Sequence, residues 1–123
     1  MRRPGILWAG WPEDMTLNSQ PILVLTTSEN GQQAQDLADE LVGQQFAACV
    51  NMLSNVSSTY RWQGKIERGS EVLLLIKTTE DQLEAIERTI KTRSSYELPE
   101  VVAVRIHAGS PEYLSWVGTS VRG

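Results

Sequence analysis

Between Phe46 and Thr78 the chain holds two long strand-like runs that face each other across Gln63-Gly64, and no other feature restricts its fold as much. Phe46 through Asn51 is apolar with β-branched character, and Val56 to Trp62 alternates less cleanly. Ser54-Asn55 between them has the character of a bulge or bend rather than a stop. Gln63-Gly64 suits a tight turn, with glycine supplying a positive φ. The return arm passes Lys65-Ile66-Glu67, softens at Gly69-Ser70 and runs on from Glu71 to Thr78. With a bulge at Ser54-Asn55, each arm holds about fifteen residues and the ribbon exceeds about 40 Å at roughly 3.3 Å per residue. A chain of 123 residues has no need of such a ribbon internally. It must find a partner, and further copies of the chain are the simplest one.

The rest of the pattern supplies a scaffold for that ribbon. Pro21 to Thr27 is a continuous apolar run and reads as a buried strand. Ser28 or Asn30 can cap a following helix, whose stripe of Ala34, Leu37, Ala38, Leu41 and Val42 recurs at helical spacing. After the ribbon, Thr79 and Gln82 resemble a capping box ahead of Leu83, Ile86 and Ile90, with Lys91 and Arg93 in the last turn. Val101 to Ile106 reads as a strand, and Ser110-Pro111 opens a final helix through Tyr113, Leu114, Trp116 and Val117. The order strand, helix, hairpin, helix, strand predicts an α+β, ferredoxin-like βαββαβ domain with an extra C-terminal helix. Residues 1–20 are expected to form an N-terminal extension, and residues 21–123 the domain.

Charge and cysteine usage narrow the function classes. Eleven basic against fifteen acidic residues give a net charge of −4, which suits a phosphate backbone poorly, so no nucleic-acid partner is expected. No basic residue falls between Arg3 and Arg61, whereas Glu13, Asp14, Glu29, Asp36, Asp39 and Glu40 do. One surface is therefore acidic. The apolar runs are too short for a membrane span and the N-terminus is a poor signal peptide, so a cytoplasmic protein without membrane association is expected. A single cysteine, Cys49, and a single histidine, His107, exclude a disulfide framework and a Cys/His zinc cage within one chain.

Few residues remain that can carry chemistry. Cys49 sits in Ala47-Ala48-Cys49-Val50-Asn51; it reads either as a core or interface thiol or as a soft-metal ligand, since copper(I) favours thiolate. His107 ends a strand at a loop, where it can ligate or titrate. Tyr60-Arg61-Trp62 at the ribbon tip, opposite Lys65 and Glu67, has the composition of an interface anchor. The stretch Ser94-Ser95-Tyr96-Glu97-Leu98-Pro99-Glu100 joins helix to strand and offers a phenol and carboxylates, as rigid connection or as oxygen ligands. There is no phosphate-binding loop, nucleophile elbow, zinc-protease or dinucleotide fingerprint, and the expectation is a protein that is not an enzyme.

With these segments identified, the chain from about Ile22 to Val117 resembles the CutA family of divalent-cation-tolerance proteins. The carrying blocks are Leu25-Thr26-Thr27, Ala47 to Asn51, Tyr60 to Glu67, Ile76-Lys77-Thr78, Tyr96 to Glu100 and Tyr113-Leu114-Ser115-Trp116. The resemblance implies a ferredoxin-like subunit in a tight homotrimer, similar in architecture to PII-type signalling proteins. Tyr60, Arg61 and Trp62 would then have an intersubunit role. It also implies a link to tolerance of copper and other divalent metals, with Cys49 at the position of the family's cysteine, a suggested copper contact. One departure stands out. The family commonly reads His-Pro-Tyr-Glu before its proline, and here Ser94 holds the histidine's place, which removes the most plausible nitrogen donor.

Two expectations follow from the resemblance. The first is a non-enzymatic homotrimer that binds a divalent cation such as copper weakly, through Cys49, Glu97 and Glu100, or responds to one indirectly. The second is a PII-like signalling or scaffolding trimer whose intersubunit cleft binds a small anion or a partner protein. Lys65, Glu67, Lys77 and Tyr96 are the cleft candidates, and Arg61 and Arg93 join the two lysines as basic groups.

Overall fold

A computed structural model describes residues 19–123 of the chain; the expected extension lies outside the described residues as far as position 18. Pro21–Ser28 forms β1, Gly31–Gly43 α1, Cys49–Trp62 β2 and Lys65–Thr79 β3. A single 3-10 turn then leads into α2, Leu83–Arg93, followed by β4, Val102–Arg105, and α3, Pro111–Ser120. The four strands make one antiparallel sheet in the order β2-β3-β1-β4. With two helices packed on one face, this is the ferredoxin-like βαββαβ arrangement, extended by α3.

Alternation along the strands divides the sheet into two faces. Ile22, Val24, Leu74 and Ile76 are buried with Ala34, Leu37, Leu41, Ile86 and Ile90 of the helices, and this cluster is the core. Asn30 caps α1 by accepting the Gln33 N–H at 2.9 Å, which satisfies one of the free donors at the helix start. Val42, expected in the buried stripe, is 43% exposed at the helix end. Leu23, Leu25, Leu73 and Leu75 point the other way and are only half-buried. The pairing brings Val104 beside Leu23, Val102 beside Leu25 and Leu53 beside Leu73 on that second face. All three of these newcomers are exposed, at 45%, 48% and 45% respectively.

The ribbon forms as its turn chemistry requires. Gln63 and Gly64 have φ of 50° and 80°, the two-residue geometry whose twist matches the flanking strands. The register shifts between Leu53 and Val56, with Asn55 at φ 60°, so Ser54-Asn55 is the expected bulge. The strand runs through Gly69-Ser70 without interruption.

Three boundaries differ from the sequence reading. Phe46 to Ala48 are a connector rather than strand, although Ala48 N–H already bonds to the Lys77 carbonyl at 2.9 Å. β4 holds four residues instead of six. Thr79 makes no side-chain cap; its hydroxyl donates to Asp81 Oδ1 at 2.5 Å, and Gln82 is buried with its amide on the Arg122 carbonyl. The expected capping box is replaced by a link to the chain's C-terminal segment.

Candidate functional site

Where the ribbon leaves the body of the sheet, a groove of about 770 Å³ opens. One arm of the ribbon lines it from Ser57 to Trp62, the other contributes Glu71, and Thr27 comes from β1. The connection between α2 and β4 closes it with Ser95, Tyr96, Glu97, Leu98 and Glu100. Thr27 and Glu71 alternate with the buried residues Thr26, Ser28 and Val72. The groove therefore has its floor on the face that α1 and α2 do not cover.

The helix-to-strand connection is tied in place residue by residue. Ser94 completes α2 through its N–H to the Ile90 carbonyl and then leaves helical geometry at ψ 140°. Its hydroxyl oxygen accepts the Tyr96 N–H at 3.0 Å. The Ser95 hydroxyl lies 3.2 Å from both Glu29 Oε2 and Gln33 Oε1 at the start of α1, and Arg93 pairs with Glu40 on the same helix. Ser94 thus has a structural task of its own.

At the centre of the floor is Glu71. Burial alone would raise its carboxyl, but hydrogen bonds from the Ser58, Tyr96 and Thr27 hydroxyls outweigh that and hold it below its ordinary value. Tyr96 is shifted strongly upward by burial, by donating to the Glu71 carboxylate and by the negative charges of Glu71 and Glu29. The two shifts describe one contact, a neutral phenol donating to an ionised carboxylate. Such charge-assisted bonds are shorter and stronger than neutral ones.

The residues singled out from sequence fall into two places. Tyr60, Arg61, Trp62, Tyr96, Glu97 and Glu100 all line the groove. Lys65 and Glu67 stand opposite Trp62 and Tyr60 on the return arm and are not lining residues. Cys49 and Lys77 face each other at the base of the ribbon, with Lys77 Nζ 5.6 Å from the centre of the Tyr113 ring. From Cys49 to Ser57 the strand covers more than about 20 Å at roughly 3.3 Å per residue. One chain therefore does not bring Cys49 to Glu97 and Glu100. Among the described residues no three His, Cys, Asp or Glu side chains are placed to hold a metal ion. His107 is exposed beyond β4.

Glu71, Ser58 and Thr27 were not among the residues the sequence pointed to. The signal available was weak: an acid opening an apolar run, on the side of the strand opposite the core.

Comparison with known proteins agrees with the architecture. The sequence model of a family described as "CutA1 divalent ion tolerance protein" matches residues 22–120. The chloroplastic protein CutA of Arabidopsis thaliana is 36% identical over 89% of this chain, which spans 60% of that relative's length. The divalent-cation tolerance protein CutA of Yersinia pestis is 38% identical over 84% of this chain and 87% of its own. Among solved structures, CutA from Xylella fastidiosa superimposes with a TM-score of 0.81 at 39% identity, covering 84% of this chain and 99% of that one.

Proposed function

Since the chain belongs to the CutA1 divalent ion tolerance family, we propose that it works as a non-enzymatic homotrimer that contacts a divalent cation, copper first, weakly and only in the assembled state. The observation that carries this reading is the family match across residues 22–120. The donor set of one chain does not fit a cation: Cys49 stands apart from Glu97 and Glu100, and its Sγ lies 3.9 Å from Asn51 Oδ1. A single thiolate holds a soft metal poorly, whereas three copies gathered about an axis offer three. Two features support the trimer. A ribbon of fourteen and fifteen residues extends past the helices, and Leu53, Val102 and Val104 leave apolar surface on the uncovered face.

Calorimetric titration with copper and zinc, on the whole chain and on Cys49→Ser, tests the metal contact. A small copper heat that disappears in the variant is the expected result. Equal and negligible heats in both would remove metal binding from the proposal.

A second reading is favoured by one observation, the groove itself. Its size lies within the range of roughly 300–1,000 Å³ common for small-molecule sites, and aromatic and polar side chains converge on it. In this reading the protein is a PII-like signalling or scaffolding trimer that binds a small ligand or a partner there.

A further inference from the structure

The chemistry of the groove restricts what it can hold, and the restriction does not favour an anion. Among the described residues Arg61 is its one basic lining side chain, against Glu71, Glu97 and Glu100. The other basic candidates are elsewhere: Lys65 is on the return arm, Lys77 lies against Tyr113, and Arg93 is engaged by Glu40. An anion entering the groove would meet a surplus of negative charge at short range.

A bare metal ion fits no better. The volume of about 770 Å³ is many times that of an ion, and the described carboxylates form no group of three that could share one. Glu71 adds a more specific constraint. Its carboxylate lies among the Ser58, Tyr96 and Thr27 hydroxyls, donors that a metal's coordination shell would have to displace.

The walls complete the description. Tyr60 and Trp62 line the groove, with Tyr60 49% exposed, and both carry the electron-rich faces that attract an organic cation. Resting on the reading of the groove as a small-ligand site, we infer that its ligand is an organic ammonium ion, a protonated amine carried on an apolar or aromatic body. The ammonium group pairs with the carboxylates that line the groove, Glu71 on its floor together with Glu97 and Glu100, and the body lies along Tyr60 and Trp62.

A series matched in size and differing in charge tests this: 2-phenylethylamine, 2-phenylethanol and phenylacetate, titrated calorimetrically into the full chain at pH 7. The amine is expected to bind on the order of tenfold more tightly than the alcohol, the usual margin of one charged hydrogen bond, and phenylacetate most weakly. Trp62→Ala and Glu97→Gln should each weaken the amine several-fold. Glu97 is exposed and not part of the hydroxyl network around Glu71, so its variant reports on charge without disturbing the floor. Equal affinity for all three, or preference for phenylacetate, overturns the ammonium inference and leaves a ligand groove standing. Binding untouched by both substitutions lies elsewhere and overturns it too. No binding by any member removes the inference and the groove reading together, and the metal titration is independent of either.

Discussion

Glu71 shows how much one side chain can organise when its partners come from distant parts of the chain. Its carboxylate joins the ribbon, β1 and the α2–β4 connection through hydroxyls of Ser58, Thr27 and Tyr96. A carboxyl held below its ordinary value of 4.5 adds stability that is complete above that pH. The contribution shrinks as pH falls through the lower, folded-state value. Tyr96, raised above its ordinary 10.0, adds stability that is complete below pH 10 and is lost as pH rises through its folded value. Glu71→Gln is therefore expected to lower the melting temperature at pH 7 by about 4 °C, as roughly 1 kcal/mol does in a domain of this size. The gap between variant and parent should narrow below pH 4.5, and melts at pH 7, 4 and 3 measure it. A gap of constant size across that range would show that the carboxylate's charge is not what matters.

The ribbon is the element whose local chemistry is most explicit. Gly64 has φ 80°, and a Cβ added there would meet nothing within 4 Å, so the cost of a side chain is conformational alone. Gly64→Ala should cost about 1–2 kcal/mol, the penalty of left-handed backbone for an ordinary residue. Gly69 offers the matched control. It too has open space where a Cβ would stand, and its φ is not in the left-handed region. Gly69→Ala should be neutral or stabilise by up to about 1 kcal/mol through a less flexible unfolded chain. Thermal melts of the two variants should thus move in opposite directions or differ by at least the cost at Gly64. Similar losses in both would mean that the ribbon tolerates no side chain at either glycine, for a reason other than φ. Asn55, at φ 60° in the bulge, is of a type that tolerates the same region. That made the bulge as legible as the turn.

At the scale of the molecule, the helices protect one face of the sheet and leave the other partly bare. The exposure of Leu53, Val102 and Val104 and the length of the ribbon have one economical solution, packing against further copies. Light scattering at micromolar concentration is expected to give about three times the 13.7 kDa chain mass. Val104→Asp, a charge placed on the edge strand of that face, should lower the mass toward the single chain. A parent chain that scatters as a monomer would end the trimer proposal and the copper contact that depends on it. Weak association that survives Val104→Asp would locate the interface on another surface.

Strand and helix identities, the bulge at Ser54-Asn55 and the turn at Gln63-Gly64 were determined by the sequence alone. Their causes are local: side-chain alternation, helical spacing and residues that accept a positive φ. The order of those elements was enough for the ferredoxin-like arrangement. Short-range detail at the junctions was less legible. Thr79 looked like a cap because Gln82 follows three residues later, but Gln82 is turned to the Arg122 carbonyl, a partner forty positions away that no local pattern contains. The groove was legible only in part. Tyr60, Arg61, Trp62 and the Tyr96 to Glu100 stretch stood out as unusual clusters, yet nothing in their spacing said that they share one wall. Tertiary structure decided that, and it decided the separation of Cys49 from the carboxylates. The reason is that Glu71 collects donors from positions 27, 58 and 96. Strand register and the path of one connection bring these together, and neither is a property of any short stretch of chain.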